Sequence, residues 1–123
     1  MSHAIETVGL RRTFGEFAAV DGLDLVVRAG TFFGFLGPNG AGKSTTIKML
    51  TGLLTKTAGS AAVLGYDIER DPVEVKRRIG VVPEELALFD RLSGAEYLTF
   101  VGRMYGLRKS DIRTRNGELM ALM

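Results

Sequence analysis

At 123 residues the chain has material for one buried core and little for a second, and 46% hydrophobic with 24% charged residues is the balance of a folded domain, not of a disordered segment. The absence of cysteine excludes disulfides, thiolate metal sites and a cysteine nucleophile, and no apolar run approaches the length that crosses a bilayer. The formal net charge is +2, and the basic residues fall in short groups diluted by acids, Arg11-Arg12, Lys76-Arg77-Arg78 and Arg108-Lys109, which reads as a solvated surface and not as a nucleic-acid footprint. The opening MSHAIETVG lacks the apolar stretch of a secretory signal, so the expectation is a cytosolic protein that meets a membrane only through a partner.

Taken in chain order, Ala4–Leu10 and Leu23–Val27 carry alternating or β-branched apolar positions, which predicts short strands separated by turns at Phe14-Gly15 and Asp21-Gly22. The run Thr31–Leu36 (TFFGFL) is almost wholly apolar and stops at Gly37-Pro38-Asn39-Gly40, the pattern of a strand buried on both faces. From Lys43 the apolar positions Ile47, Leu50 and Leu54 have helical spacing, with Gly52 as terminator. Ser60–Leu64 and Ile79–Val82 read as strands, and Asp71-Pro72 opens a short charged helix with Asp71 as its cap. Ser93–Tyr105 reads as a helix with Ser93 and Glu96 as capping box and Gly106 at its end. A last helix begins near Ser110, and Asn116-Gly117 interrupts its apolar line, so its end is expected to fray.

Gly37-Pro38-Asn39-Gly40-Ala41-Gly42-Lys43-Ser44 fits G-x-x-x-x-G-K-[ST], set between a predicted strand and a predicted helix, as its mechanism requires. Glycines let main-chain amides wrap an anion closely, and the helix that follows turns its positive end to the same place. Gly37, Asn39, Gly40, Ala41, Gly42 and Thr45 are thus candidate phosphate contacts, Lys43 the cation for the β- and γ-phosphates of a nucleotide, and Ser44 the hydroxyl for Mg²⁺.

The longer string GPNGAGKSTTIKMLTGLL closely resembles the Walker A region of ATP-binding-cassette proteins, and the similarity continues on both sides. Upstream, LRRTFG followed by Ala19-Val20-Asp21-Gly22-Leu23 resembles the family's opening segment, which implies that Phe14 stacks on the adenine of ATP; a core phenylalanine is the alternative. Val20 either lines the adenine or ribose or simply packs. Downstream, Gly80-Val81-Val82-Pro83-Glu84-Glu85 resembles the approach to the family's Q-loop, with Glu84 where glutamine is usual. The resemblance makes Glu84 a candidate metal and catalytic residue beside Lys43; a surface glutamate is the alternative. Leu86–Leu107 resembles the start of the helical subdomain of export-type subunits, including multidrug exporters. Within it Leu92-Ser93-Gly94-Ala95-Glu96 imitates the signature LSGGQ, but it follows the Q-loop segment too closely, and helix capping explains its Ser93 and Glu96.

The fold this implies is α/β: a P-loop NTPase core with an N-terminal antiparallel β subdomain, incomplete, spanning 1–30 as β-rich opening, 31–85 as P-loop to Q-loop segment and 86–123 as the start of the helical subdomain. A signature segment, an apolar run ending in Asp-Glu (Walker B) and a switch histidine are missing, and the resemblance places the Walker B strand beside Thr31–Leu36, so a fragment is expected. When intact, the resemblance implies a MgATP-hydrolysing subunit at the cytoplasmic face that pairs with a second nucleotide-binding subunit, as homodimer or heterodimer, and drives export through transmembrane subunits. The alternative is a nucleotide-binding or interaction module without turnover. A small P-loop kinase or GTPase would need an acceptor site or guanine-reading motif that the sequence lacks.

Overall fold

In the computed structural model, which describes residues 2–38, 42–82 and 91–122, the β-rich opening forms one long hairpin of strands β1 (His3–Phe14) and β2 (Phe17–Arg28). The turn expected at Phe14-Gly15 is there: Phe14 pairs with Phe17, and Gly15 takes φ 60 in the two-residue loop. The turn expected at Asp21-Gly22 is not. Leu10 pairs with Leu23 and Arg11 with Asp21, so Gly22, at φ 74, is an extra residue absorbed by a ladder that continues on both sides of it. A matching irregularity at Gly9 lets both Thr7 and Leu10 point inward although three positions apart. Buried Thr7 donates its hydroxyl to the Leu23 carbonyl at 2.9 Å, which removes the penalty of placing it there.

Helix α1 (Lys43–Leu50) follows, then β3 (Ala58–Val63), β4 (Tyr66–Asp67) and α2 (Pro72–Arg78). The strands form one antiparallel sheet in the order β2-β1-β3-β4. Its core joins Leu10 and Val20 of the hairpin, Met49 and Leu50 of α1, Ala61 and Val63 of β3, Ile68, and Val75 of α2. The inward face of α1 is Thr46, Met49 and Leu50; Ile47, expected inside, is 46% exposed. The helix ends as its glycine suggests, with the Gly52 amide on the Met49 carbonyl and the Leu53 amide on that of Lys48. Pro72 starts α2 as expected, but the Asp71 side chain makes no capping bond. Asp67 captures the local amides instead, accepting from Glu69 and Arg70 at 2.8 and 3.0 Å, and these bonds hold its carboxyl below the usual range.

Two expected strands do not form. Thr31–Leu36 has no regular secondary structure; Phe32 and Leu36 are fully or almost fully exposed. Ile79–Val82 is likewise outside the sheet, although Ile79 has extended dihedrals and packs on the core. A strand exists through the neighbours that take up its amides and carbonyls, and among the described residues no strand lies beside either segment.

The β3–β4 hairpin turns through Leu64 and Gly65 at φ 51 and 83, and Leu64 is the one non-glycine residue at positive φ among those described. A leucine there costs about 1–2 kcal/mol against a residue that tolerates the left-handed region, and at 43% exposure it gains little packing in return. Leu64→Asn is therefore expected to stabilise the protein by about 1 kcal/mol, read as a higher midpoint in urea. An unchanged or lower midpoint would show that the side chain contributes more than its backbone loses.

The chain divides into two units, Met1–Val81 and Val82–Met123. In the second, α3 (Gly94–Met104) and α4 (Lys109–Leu122) pack antiparallel: Ile112 is buried over Gly102, and the Asn116 side-chain amide donates to Thr99 Oγ1 at 2.9 Å. Asn116-Gly117 does not end the helix: Asn116 is bound across the helix pair and α4 runs through to Leu122. The capping box is complete, with the Glu96 amide on Ser93 Oγ at 3.2 Å and the Ser93 amide on Glu96 Oε1 at 3.0 Å, which lowers the Glu96 pKa. Leu92-Ser93-Gly94-Ala95-Glu96 is thus a helix start, as the sequence reading held.

Candidate functional site

The site is built at the start of α1. Its N-cap, Gly42, sits at φ 86 and ψ 8, brings no side-chain oxygen to the first turn, and no acidic residue lies there, so the positive end of the helix is not offset locally. Gly42 is required for a second reason. A Cβ on it would lie 2.4 Å from the Ala19 carbonyl oxygen and 3.1 Å from Val20 Cγ2, so β2 presses directly on the loop where it enters the helix. Thr46 pins the same turn from inside: fully buried, it places both its amide and its hydroxyl on the Gly42 carbonyl, at 2.9 and 2.8 Å.

Lys43 reaches back across the loop and donates its ammonium to the Gly37 carbonyl. The cation is thereby held at the Gly37 carbonyl, six residues before it in the chain. Thr45 is half-buried in the same turn and Ser44 is exposed. Asn39, Gly40, Ala41 and Glu84 lie outside the described residues.

At the hairpin end, Phe14 is 47% exposed and is not a core residue. The Arg12 guanidinium lies over its ring, 4.6 Å from the centroid. Arg12 also donates to the Thr55 carbonyl at 2.8 Å and to Thr55 Oγ1 at 3.1 Å. The solvated pair expected at Arg11-Arg12 is therefore split: Arg11 meets Asp21 at 3.3 Å on the surface, whereas Arg12 is half-buried between a loop and a ring. Val20 is 7% exposed within the core, the packing alternative for that position, though its methyl still backs Gly42. Sequence reasoning missed Ala19, Thr46 and Arg12 as parts of the site. The contacts of Ala19 with Gly42 and of Arg12 with Thr55 join residues far apart in the sequence, and the burial of Thr46 depends on what packs on α1.

A helix start without carboxylates, an ammonium and a hydroxyl form a donor set for an anion chain, not for a bare cation. Among the described residues no group of acidic or histidine side chains could hold a metal by itself. Ser44 offers one oxygen, so Mg²⁺ would fit here only with phosphate oxygens completing its shell.

Comparison with known proteins gives the family. The ABC transporter family model matches residues 20–121. Over 119 residues the chain is 46% identical to the daunorubicin/doxorubicin resistance ATP-binding protein DrrA of Streptomyces peucetius, covering 97% of this chain and 36% of that protein. It is 39% identical to the linearmycin resistance ATP-binding protein LnrL of Bacillus subtilis, covering 94% and 37%. A solved ATP-binding subunit of an ABC transporter superposes with a TM-score of 0.78 at 30% identity, covering 87% of this chain and 45% of that one. The chain thus spans about a third of the length of these curated relatives. No helix among the described residues is long and apolar enough to cross a membrane.

Proposed function

Because the chain belongs to the ABC transporter family, with the α/β fold of an incomplete ABC ATPase domain, we propose that it grips ATP as the front part of a transporter's ATPase subunit. The observation that carries this reading is the start of α1: a left-handed Gly42 pressed against Ala19, an uncompensated helix start, and Lys43 drawn over the loop to Gly37. In it the amides of Gly37, Asn39, Gly40, Ala41, Gly42, Lys43, Ser44 and Thr45 surround the phosphate chain, while Pro38 has none to give, and Lys43 neutralises the β- and γ-phosphate oxygens. Phe14 offers its exposed ring to the adenine, and Val20 shapes the floor beneath the loop. Ser44 and Glu84 are the residues we assign to Mg²⁺, which when bound supplies charge neutralisation of the triphosphate.

In the whole protein this grip would serve hydrolysis that drives export through transmembrane partners, with a second nucleotide-binding subunit completing the site at the cytoplasmic face. The names of the relatives, resistance to daunorubicin, doxorubicin and linearmycin, support a drug-like cargo. These 123 residues contain no Asp-Glu run to polarise water, so binding without turnover is the activity proposed for them alone.

Equilibrium titration with a fluorescent ATP analogue, with and without Mg²⁺, alongside a phosphate-release assay, tests both parts. Saturable, Mg²⁺-strengthened binding without phosphate release is the expected result. Folded protein that binds no nucleotide would remove the reading; steady release at the rate of a whole cassette would remove its second half.

A further inference from the structure

Arg12 is placed at a cost. Its Nε is buried without a hydrogen-bond partner, and among the described residues it forms no ion pair. A surface arginine with those options would swing outward and hydrate both groups. It stays because its planar head lies over the Phe14 ring at 4.6 Å while one terminal nitrogen is held by the Thr55 carbonyl and hydroxyl. Thr55 belongs to the segment that leaves α1, the helix whose first turn carries Lys43. That segment is fastened to β1 again by the Thr57 amide on the Arg11 carbonyl at 2.7 Å and the Thr13 amide on Thr57 Oγ1 at 3.0 Å.

We propose that Arg12 is a positioning residue for the base of the nucleotide, fixing the Phe14 ring in orientation and tying it to the α1 loop so that base and phosphate ends are held at a set distance. The inference rests on the ATP-binding reading above. With the guanidinium occupying one face, Phe14 keeps the other for a purine and cannot rotate that face away. The cation also draws π density from the ring, which reduces its repulsion with a stacked, electron-rich base. The effect belongs to the base alone: a ligand with phosphates and no base has nothing to gain from Arg12.

Affinities for ATP and for inorganic tripolyphosphate, measured by calorimetry on the full chain and its Arg12→Ala, Arg12→Lys, Phe14→Ala and Arg12→Ala/Phe14→Ala variants, test this. Lysine keeps the charge and the aliphatic stem but not the plane or the fork, so both Arg12 variants should bind ATP roughly three- to tenfold more weakly, with tripolyphosphate unchanged. Retained tripolyphosphate binding also reports that the variants are folded. In the Phe14→Ala background, removing Arg12 should cost nothing further, because the ring it orients is gone. Three results would overturn the proposal while leaving the ATP reading standing: Arg12→Ala with wild-type ATP affinity when Phe14→Ala loses it, an equal loss for ATP and tripolyphosphate, or a full loss persisting without Phe14. ATP affinity that does not depend on Phe14 overturns the proposal alone, whereas wild-type protein that binds neither ligand overturns the reading beneath and the proposal with it.

Discussion

Lys43→Ala is expected to weaken ATP binding by on the order of a hundredfold, about 3 kcal/mol, the range for removing one partner of a close, partly desolvated charge pair. The size follows from where Lys43 sits. Its ammonium is held by the Gly37 carbonyl and its backbone opens the uncompensated first turn of α1, so phosphate oxygens bound there would face a full charge and a helix dipole together. Stability should change little. Lys43 is outside the core cluster, and the loss of its bond to Gly37 is worth about 1 kcal/mol. Parallel titrations and urea unfolding of the two proteins separate these effects. An affinity within threefold of wild type, with the fold intact, would show that the main-chain amides alone hold the ligand or that the ligand binds elsewhere.

Gly42→Ala should damage the fold and the site together, and Gly30→Ala is its natural control. Both glycines have positive φ, 86 and 76, so both substitutions carry the left-handed penalty of about 1–2 kcal/mol. They differ in surroundings: nothing lies within 4 Å of a Cβ at Gly30, whereas one at Gly42 meets the Ala19 carbonyl oxygen at 2.4 Å. That oxygen is main chain, in the one residue of β2 between the Thr13–Ala18 and Arg12–Val20 pairs, and cannot swing aside as a side-chain tip would. Either β2 or the first turn of α1 must move, which adds about 1–3 kcal/mol and shifts the turn that carries Lys43. Denaturant midpoints for the three proteins should therefore rank wild type, then Gly30→Ala, then Gly42→Ala, and only the last should lose nucleotide. Equal destabilisation by the two substitutions would mean that the contact with Ala19 is not constraining.

Much of this protein is local, and what is local was legible in the sequence. The hairpin turn at Gly15, the helix from Lys43 with Gly52 beyond it, the proline start of α2, and the Ser93–Glu96 capping box each depend on a few adjacent residues whose dihedrals and hydrogen bonds close on themselves. The glycine loop was legible for the same reason, since its chemistry is main-chain amides and one lysine within eight positions. Gly22 was misread because a glycine at positive φ serves a turn or a bulge equally well, and the choice belongs to the pairing with β1. Thr31–Leu36 was misread because an apolar run states that a strand is affordable, not that a partner is beside it.

By itself, then, the amino-acid order determined the family, the glycine-loop motif ahead of α1, the proline start of α2 and the capped start of α3. Tertiary structure decided the rest: that Ala19 closes on Gly42, that Thr46 is buried in the first turn of α1, and that Arg12 lies over the Phe14 ring while donating to Thr55. The division has a physical cause. Capping and turn bonds join residues three or four apart and are encoded by their spacing, whereas Ala19 and Gly42 are 23 positions apart and Arg12 and Thr55 are 43 apart, and only the folded sheet and helix bring them within reach.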